Sequence, residues 1–289
     1  MSSAHCTTNQ AALYVPGRQT SALVVASPHS GRVYSPEFLR LSRLGISALR
    51  RSEDCFVDEL FSDSPGLGSP LLCALIPRCF VDVNRGPNEL DRKMFRGTFP
   101  GYANTQSDKV LSGMGVIPRL AASGAEIYAQ PLPISLARRR LLAHYFPYHK
   151  MLRRLLWETY EQFGHVMLLD CHSMPSPLFQ GGSASTFDVV LGDRHGRSCS
   201  SLLVDKAEAI LTEQGYTVGR NTPYAGGFTT EYYGHPERGV NVLQIEISRA
   251  LYMDEKNFCR GAGLSRVRAN MSMLAEALGK IQLFAQAAE

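Results

Sequence analysis

Three apolar runs in the 289-residue chain end in residues able to bind a metal or an anion. Ala22–Ser27 leads into Pro28-His29-Ser30-Gly31, Phe80–Val83 into Asn84-Arg85-Gly86-Pro87, and Val166–Leu169 into Asp170-Cys171-His172-Ser173. Two imidazoles at strand ends are candidates for one metal site. Alternate residues of a strand share a face, so Asp170 and His172 point together while Cys171 points into packing, which disfavours a thiol nucleophile. The same parity puts Val242, Gln244 and Glu246 on one face and Leu243, Ile245 and Ile247 on the other. A carboxylate within an apolar strand is costly unless it is paired, protonated or beside a cation, so Glu246 needs a partner.

A catalytic zinc takes three protein ligands, often two imidazoles and one carboxylate, and keeps a position open for water. Glu53, Asp54 and Asp58 supply carboxylates at the start of a segment that reads as a helix over Glu53–Phe61. Asp54 and Asp58, four apart, would share a helix face, one binding metal and the other supporting it. Each residue alone has a plainer role: a hydrogen-bonded histidine, a buried ion pair, or acids complementing a helix N-terminus. The combination favours a metal centre. His-Glu-x-x-His, Gly-x-Ser-x-Gly and Gly-x-x-x-x-Gly-Lys are absent, which disfavours thermolysin-type peptidases, elbow-type serine hydrolases and phosphate-loop enzymes.

These groups need a scaffold, and the flanking pattern predicts one. Strands are expected at Ala22–Ser27, Leu71–Ile76, Phe80–Val83, Val166–Asp170, Asp188–Gly192 and Val242–Ile247, several without polar alternation, as for strands covered on both faces. Helices are expected over Glu53–Phe61, Ser135–Phe163 with a bend near Pro147, Ser200–Gln214 and Ser265–Ala287. The alternation predicts an α/β fold: a mostly parallel or mixed sheet with helices on both faces and a site at strand carboxyl ends. One domain over residues 1–289 is expected, with a long functional loop or lid at about 86–131, where Gly, Pro, Asn and Ser become frequent. Tyr224–Gly234 reads either as a binding loop or as a tight hairpin, and Gly226-Gly227 permits close backbone approach or positive φ.

Composition sets the outer limits. The chain is 44% hydrophobic and 19% charged, an ordinary globular balance that excludes disorder and fibre. A net charge of +4 without a basic run argues against nucleic acid, and Arg138–Arg140 with Arg153-Arg154 read as a largely solvated helix face. No apolar run approaches the ~18 residues of a membrane span. Seven cysteines without a Cys-x-x-Cys pair, behind a polar N-terminus, suggest free thiols and a cytoplasmic location.

The ordered set of motifs resembles the N-formylglutamate amidohydrolases. It comprises Pro28-His29-Ser30-Gly31, Asp54-Cys-Phe-Val-Asp58-Glu-Leu60, Val81-Asp-Val-Asn84-Arg85, Pro147-Tyr148-His149, Asp170-Cys-His172-Ser173, Gly226-Gly227-Phe-Thr229-Thr230 with Tyr233-Gly234, Gln244-Ile-Glu246, and Leu251-Tyr-Met-Asp254-Glu255. The resemblance implies a phosphorylase/hydrolase-like fold, distantly similar to zinc carboxypeptidases. By the same resemblance His29, Asp54 and His172 are the metal ligands, with Glu53 the competitor for Asp54. Zinc is the expected ion, Glu246 the catalytic base, and Asn84-Arg85 the pair for a substrate carboxylate.

The implied reaction is hydrolysis of N-formyl-L-glutamate to formate and L-glutamate, a late step of histidine breakdown in that family. The metal would lower the pKa of a water and polarise the formyl oxygen, and Glu246 would carry the proton to the departing amine. Gly226, Gly227, Thr229 and Thr230 are candidate substrate contacts, and Tyr148 and His149 either line the cleft or brace it. Arg139, Arg140 and Arg249 are candidates for a second substrate carboxylate. The alternatives are an amidase for another N-acyl amino acid or a peptidoglycan fragment, and an inactive protein that binds an acidic metabolite.

Overall fold

The computed structural model describes residues 4–7, 11–176 and 186–282. The strands in chain order are β1 (Ala4–Thr7), β2 (Ala11–Val15), β3 (Leu23–Ser27), β4 (Leu71–Ala74), β5 (Phe95–Arg96), β6 (Leu132–Pro133), β7 (Val166–Met174), β8 (Val189–Gly192), β9 (Val218–Arg220) and β10 (Val240–Ser248). Two further short strands, β11 (Met253–Asp254) and β12 (Cys259–Arg260), form a ribbon of their own, as do β5 and β6, and the other eight form one sheet of order β1-β2-β4-β3-β7-β10-β8-β9. Strands β4, β3, β7 and β10 run parallel, whereas β2 and β8 run antiparallel to β4 and β10. The carboxyl ends of β3, β7 and β10 therefore meet along one side of the sheet.

Both faces of the sheet are buried, which explains the uninterrupted apolar runs. Val24, Ala26, Leu168 and Val242 pack with Leu152, Leu155 and Leu156 of the helix Phe146–Phe163. Leu23, Val25, Leu169, Cys171 and Ile245 face the opposite core, built with the helices Ser201–Glu213 and Leu264–Gly279. The parity expected for the strands holds, and Cys171 lies in the core away from His172. Pro147 has no N–H to give to the fourth carbonyl before it. The helix Ile134–Arg140 accordingly passes through a π turn, Leu141–Tyr145, in which the Phe146 N–H bonds to Leu141 O, before continuing as Phe146–Phe163.

Several expectations need correction. Phe80–Val83 is not a strand: the Asp82 N–H bonds to Val116 O and its carboxylate accepts from the Asn84 N–H, a local turn that replaces ladder pairing. Glu53–Phe61 is helical only over Val57–Leu60, because Phe56 takes a left-handed φ of 64°. Asp54 and Asp58 therefore do not share a helix face, and Asp58 bonds instead to Arg32. The polar N-terminal stretch supplies β1, which pairs with β2, and β2, which pairs onto β4. The last helix ends at Gly279, and the part expected over 283–287 lies outside the described residues.

The 86–131 segment is packed rather than free. It buries Leu90, Met94, Phe95, Val116, Ile117 and Ile127 in the same core as the helix Phe146–Phe163. Among the described residues no helix is long and apolar enough to cross a membrane. Cys55, Cys73, Cys79, Cys171 and Cys199 are free and buried.

Candidate metal centre and active site

The chain leaves β3 at Ser27 and places His29 two residues beyond its end. The Asp54 N–H bonds back to His29 O at 3.0 Å, which ties the Asp54 turn to that strand end. Asp54 Oδ2 then lies 3.3 Å from His29 Nδ1 and 3.1 Å from His172 Nδ1, and the imidazole centroids are 4.7 Å apart. The three ligand atoms lie within 4.8 Å of one another, and all three residues are buried. Glu53 turns the other way, accepting from Tyr34 Oη at 2.5 Å, Arg50 Nε at 3.2 Å and Cys55 Sγ at 3.1 Å.

This buried His–Asp–His group can bind a metal, and the atoms around it fit one. Among the described residues Nδ1 of His29 is buried without a hydrogen-bond partner even though it faces Asp54, as expected of a nitrogen aimed at a cation rather than at a proton. The far nitrogens meet carboxylates: His29 Nε2 lies 2.7 Å from Asp82 Oδ1, and His172 Nε2 lies 3.0 Å from Asp170 Oδ2. Such partners fix the tautomer that presents Nδ1 to metal. Asp82 is itself held by Arg78 at 2.8 Å, and Asp54 Oδ1 accepts from Arg249 and Ser173.

Charge follows from this packing. Burial pushes Asp54 up, but hydrogen bonds and charges from His172 and His29 outweigh it and hold the carboxyl well below its usual range. Burial disfavours a charged His172, yet Asp170, Asp54 and Glu246 together hold its pKa well above the ordinary value. A metal must displace that proton, so binding and deprotonation are linked. Glu246 pairs in register with His172 across the β7–β10 ladder. Burial pushes it up to about 7, with Asp54 and Asp170 adding to the rise and His172 and Arg78 opposing it. That value suits a group that must take and return a proton near neutrality.

A cleft of about 810 Å³ opens beside the centre, with Asn84, Arg85, Gly226 and Gly227 in its lining. The three ligand residues are not themselves in this lining. The Thr229 N–H donates to Asn84 Oδ1 at 2.7 Å, which orients the amide so that Nδ2 donates to Asp170 Oδ2 at 3.3 Å. Asn84 thus braces the centre. Arg85 spends Nη1 on Asn84 O and Nε on Met114 O, leaving Nη2 3.9 Å from Asp82. Gly226 has φ 125°, and a Cβ at Gly227 would lie 2.7 Å from the Asn84 amide, so both glycines are required by geometry. The loop enters the helix Phe228–Tyr233 and is not a hairpin. Thr230 Oγ1 turns to Gly227 O, and neither Thr229 nor Thr230 is in the cleft lining.

His149 is in that lining, yet both its nitrogens are occupied. Nε2 donates to Val83 O at 2.9 Å, so Nδ1 accepts from Tyr233 Oη at 2.8 Å. Burial pushes it down to about 4 and keeps it neutral. None of the three arginines proposed for a second carboxylate reaches the cleft. Arg249 is buried against Asp54 and Glu53 O, Arg140 stacks on Phe80 with a bond to Tyr128 Oη, and Arg139 pairs with Glu37 at the surface. The cations that do line it are Arg85, Lys109, Arg153 and Arg194.

The model of the N-formylglutamate amidohydrolase family matches residues 21–253, a span that contains every residue of the centre. The chain belongs to the N-formylglutamate amidohydrolase family. It is 30% identical over 242 residues to the N-formylglutamate deformylase of Pseudomonas putida, covering 81% of this chain and 82% of that one. The deformylase of Pseudomonas aeruginosa is 28% identical over 237 residues, covering 81% and 83%. The crystal structure of N-formylglutamate amidohydrolase from Ralstonia eutropha JMP134 is 34% identical, covers 94% of this chain and 98% of that one, and has a TM-score of 0.88. A structure from Agrobacterium tumefaciens, 18% identical over 90% and 92% of the two chains with a TM-score of 0.57, shares the fold. Like the amidohydrolases it matches, the chain is a hydrolase acting on an amide bond.

Sequence reasoning missed the roles of Asp82 and Arg78. Asp82 carried a readable signal, since a carboxylate between two buried valines needs a partner as much as Glu246 does. Arg78 carried none, because the turn that returns it to Asp82 depends on distant packing.

Proposed function

We propose that the chain hydrolyses N-formyl-L-glutamate to formate and L-glutamate, with a divalent metal, zinc, held by His29, Asp54 and His172. The observation that carries this reading is the convergence of two imidazoles and one carboxylate, with Glu246 on the neighbouring strand in register with His172. When bound, the metal supplies Lewis acidity, which makes a water more acidic and the formyl carbonyl more electrophilic.

The chain's own groups do the rest. Glu246 takes the proton from the attacking water and returns it to the departing amine. Asp82 and Asp170 keep the two imidazoles in the metal-binding tautomer. Arg85, braced through Asn84 O, grips one substrate carboxylate with its remaining N–H groups. Among the described residues Lys109 and Arg153 line the cleft without an ion pair and serve the second carboxylate, whereas Arg194 pairs with Glu231 at 3.3 Å. Neutral His149 holds the cleft wall in shape. The family resemblance puts this reaction at a late step of histidine breakdown, and the buried free thiols fit a reducing, cytoplasmic setting.

The test is formate release by the metal-loaded protein, run against N-acetyl and N-succinyl amino acids with metal content measured in parallel. Fastest turnover of N-formyl-L-glutamate at one metal per chain is expected. Faster cleavage of an acetyl or larger acyl group would favour a different N-acyl amidase. Absence of both bound metal and turnover would favour a metabolite-binding protein.

A further inference from the structure

We propose that Gln244 is a positioning residue that couples the cleft loop at Gly226-Gly227 to the general base Glu246; this rests on the amide-hydrolase reading of the site. Gln244 and Glu246 share the face of β10 that turns toward the centre, and both are buried. The Gly227 N–H can only donate, and it lies 2.9 Å from Gln244 Oε1. This fixes the orientation of the amide. Its Nε2 therefore donates to Glu246 Oε1 at 2.9 Å. One carboxylate oxygen of Glu246 is held in place by that bond, and Oε2, which has no hydrogen-bond partner among the described residues, is the one to carry the transferred proton.

The other end of the connection bears on substrate. Gly227 presses against the Asn84 amide, and the preceding residues lie flat on β8, where a Cβ at Gly192 would meet the Ala225 and Gly226 backbone at 2.9 Å. Gly192 is opposite Gln244 in the β8–β10 register. The loop is thus clamped sterically by β8 and Asn84, and polar contact with the base runs through one side-chain amide. A glutamine suits the position because it has both a donor and an acceptor at this reach. Methionine has neither strong group, and asparagine is one methylene shorter. A substrate that settles the glycine loop sets the angle of the base through Gln244.

The experiment is a double-mutant cycle in the zinc-loaded 289-residue chain, with kcat and KM for formate release read separately and metal content checked in each variant. Gln244→Met should lower kcat by ~10-fold or more in the wild-type background, consistent with loss of a hydrogen bond to a charged group, and should also raise KM. In the Glu246→Gln background the kcat loss should shrink to within about twofold while the KM rise persists. Equal kcat losses in the two backgrounds, or no loss in the first, would overturn the coupling. If Gln244→Met does not hold metal, Gln244→Asn, which adds no charge beside Glu246 and is one methylene too short to bridge Gly227 and Glu246, takes its place, and the same kinetic outcomes support or overturn the coupling. Wild-type protein inert toward N-formyl-L-glutamate would sink the substrate assignment alone. The cycle is then run on whichever N-acyl amino acid is cleaved, because the coupling is to the base and not to the acyl group.

Discussion

Replacing Asp82 by Asn tests the centre without touching a ligand. The native carboxylate uses Oδ1 for His29 Nε2 at 2.7 Å and the Asn84 N–H at 2.9 Å, and Oδ2 for Arg78 at 2.8 Å. Its charge is kept low in pKa against burial by Arg78, His29 and Arg85. An asparagine retains an acceptor for His29 but removes the charge and sets an NH2 group against the Arg78 donors. His29 is then a weaker and less firmly oriented ligand. Loss of such a partner typically costs 10–100-fold in metal affinity, or about 1.4–2.8 kcal/mol at 1.4 kcal/mol per tenfold. Competition with a chromophoric zinc chelator at fixed pH measures this directly. Because Asp82 is placed to act through His29, kcat at saturating zinc should return to within a few-fold of wild type. An Asp82→Asn protein that binds zinc within twofold of wild type would refute the reasoning, as would a large kcat loss that saturating metal does not relieve.

Further outcomes follow from the same geometry. Glu246→Gln should retain metal and lose turnover by ~100-fold or more; near-normal kcat would remove Glu246 from the proton-transfer role. Burial and neighbouring acids put the Glu246 carboxyl at about 7, and a divalent ion beside it can only lower that value, so kcat/KM should rise with pH along a limb at or below 7. A limb well above 7 would assign the base elsewhere. Arg85→Lys should raise KM with a smaller effect on kcat, since lysine cannot reproduce a forked contact; an unchanged KM would make Arg85 structural. Gly227→Ala places a methyl 2.7 Å from the Asn84 amide and should lower kcat/KM by at least ~10-fold with metal content preserved; normal kinetics would show that the loop can yield there.

The sheet and its parity were legible because alternation along a strand is a local property. Asp170 with His172, and Gln244 with Glu246, had to share faces once β7 and β10 were read as strands. The two misread segments failed for a local reason of a different kind. Val81 and Val83 alternate like a strand, yet the Asp82 side chain captures a backbone N–H and bends the chain. The apolar spacing after Glu53 resembles a helix, yet Phe56 breaks it with a positive φ. In each case side-chain chemistry or backbone strain overrode periodicity, and both segments border the site.

Residue types and their order along the chain were enough to determine that His29, His172 and Glu246 sit at the ends or inner faces of parallel strands. Tertiary structure alone decided which carboxylate turns inward. Asp54 and Glu53 are adjacent and chemically alike, and the choice between them depends on Arg249 and His172 reaching one and Tyr34 and Arg50 holding the other. It likewise decided that Asp82 orients His29 across 53 positions of sequence, and that Arg139, Arg140 and Arg249 are spent elsewhere. Periodicity encodes which face a side chain takes, whereas a buried charge is settled by whichever distant partner the packed chain brings within hydrogen-bond reach.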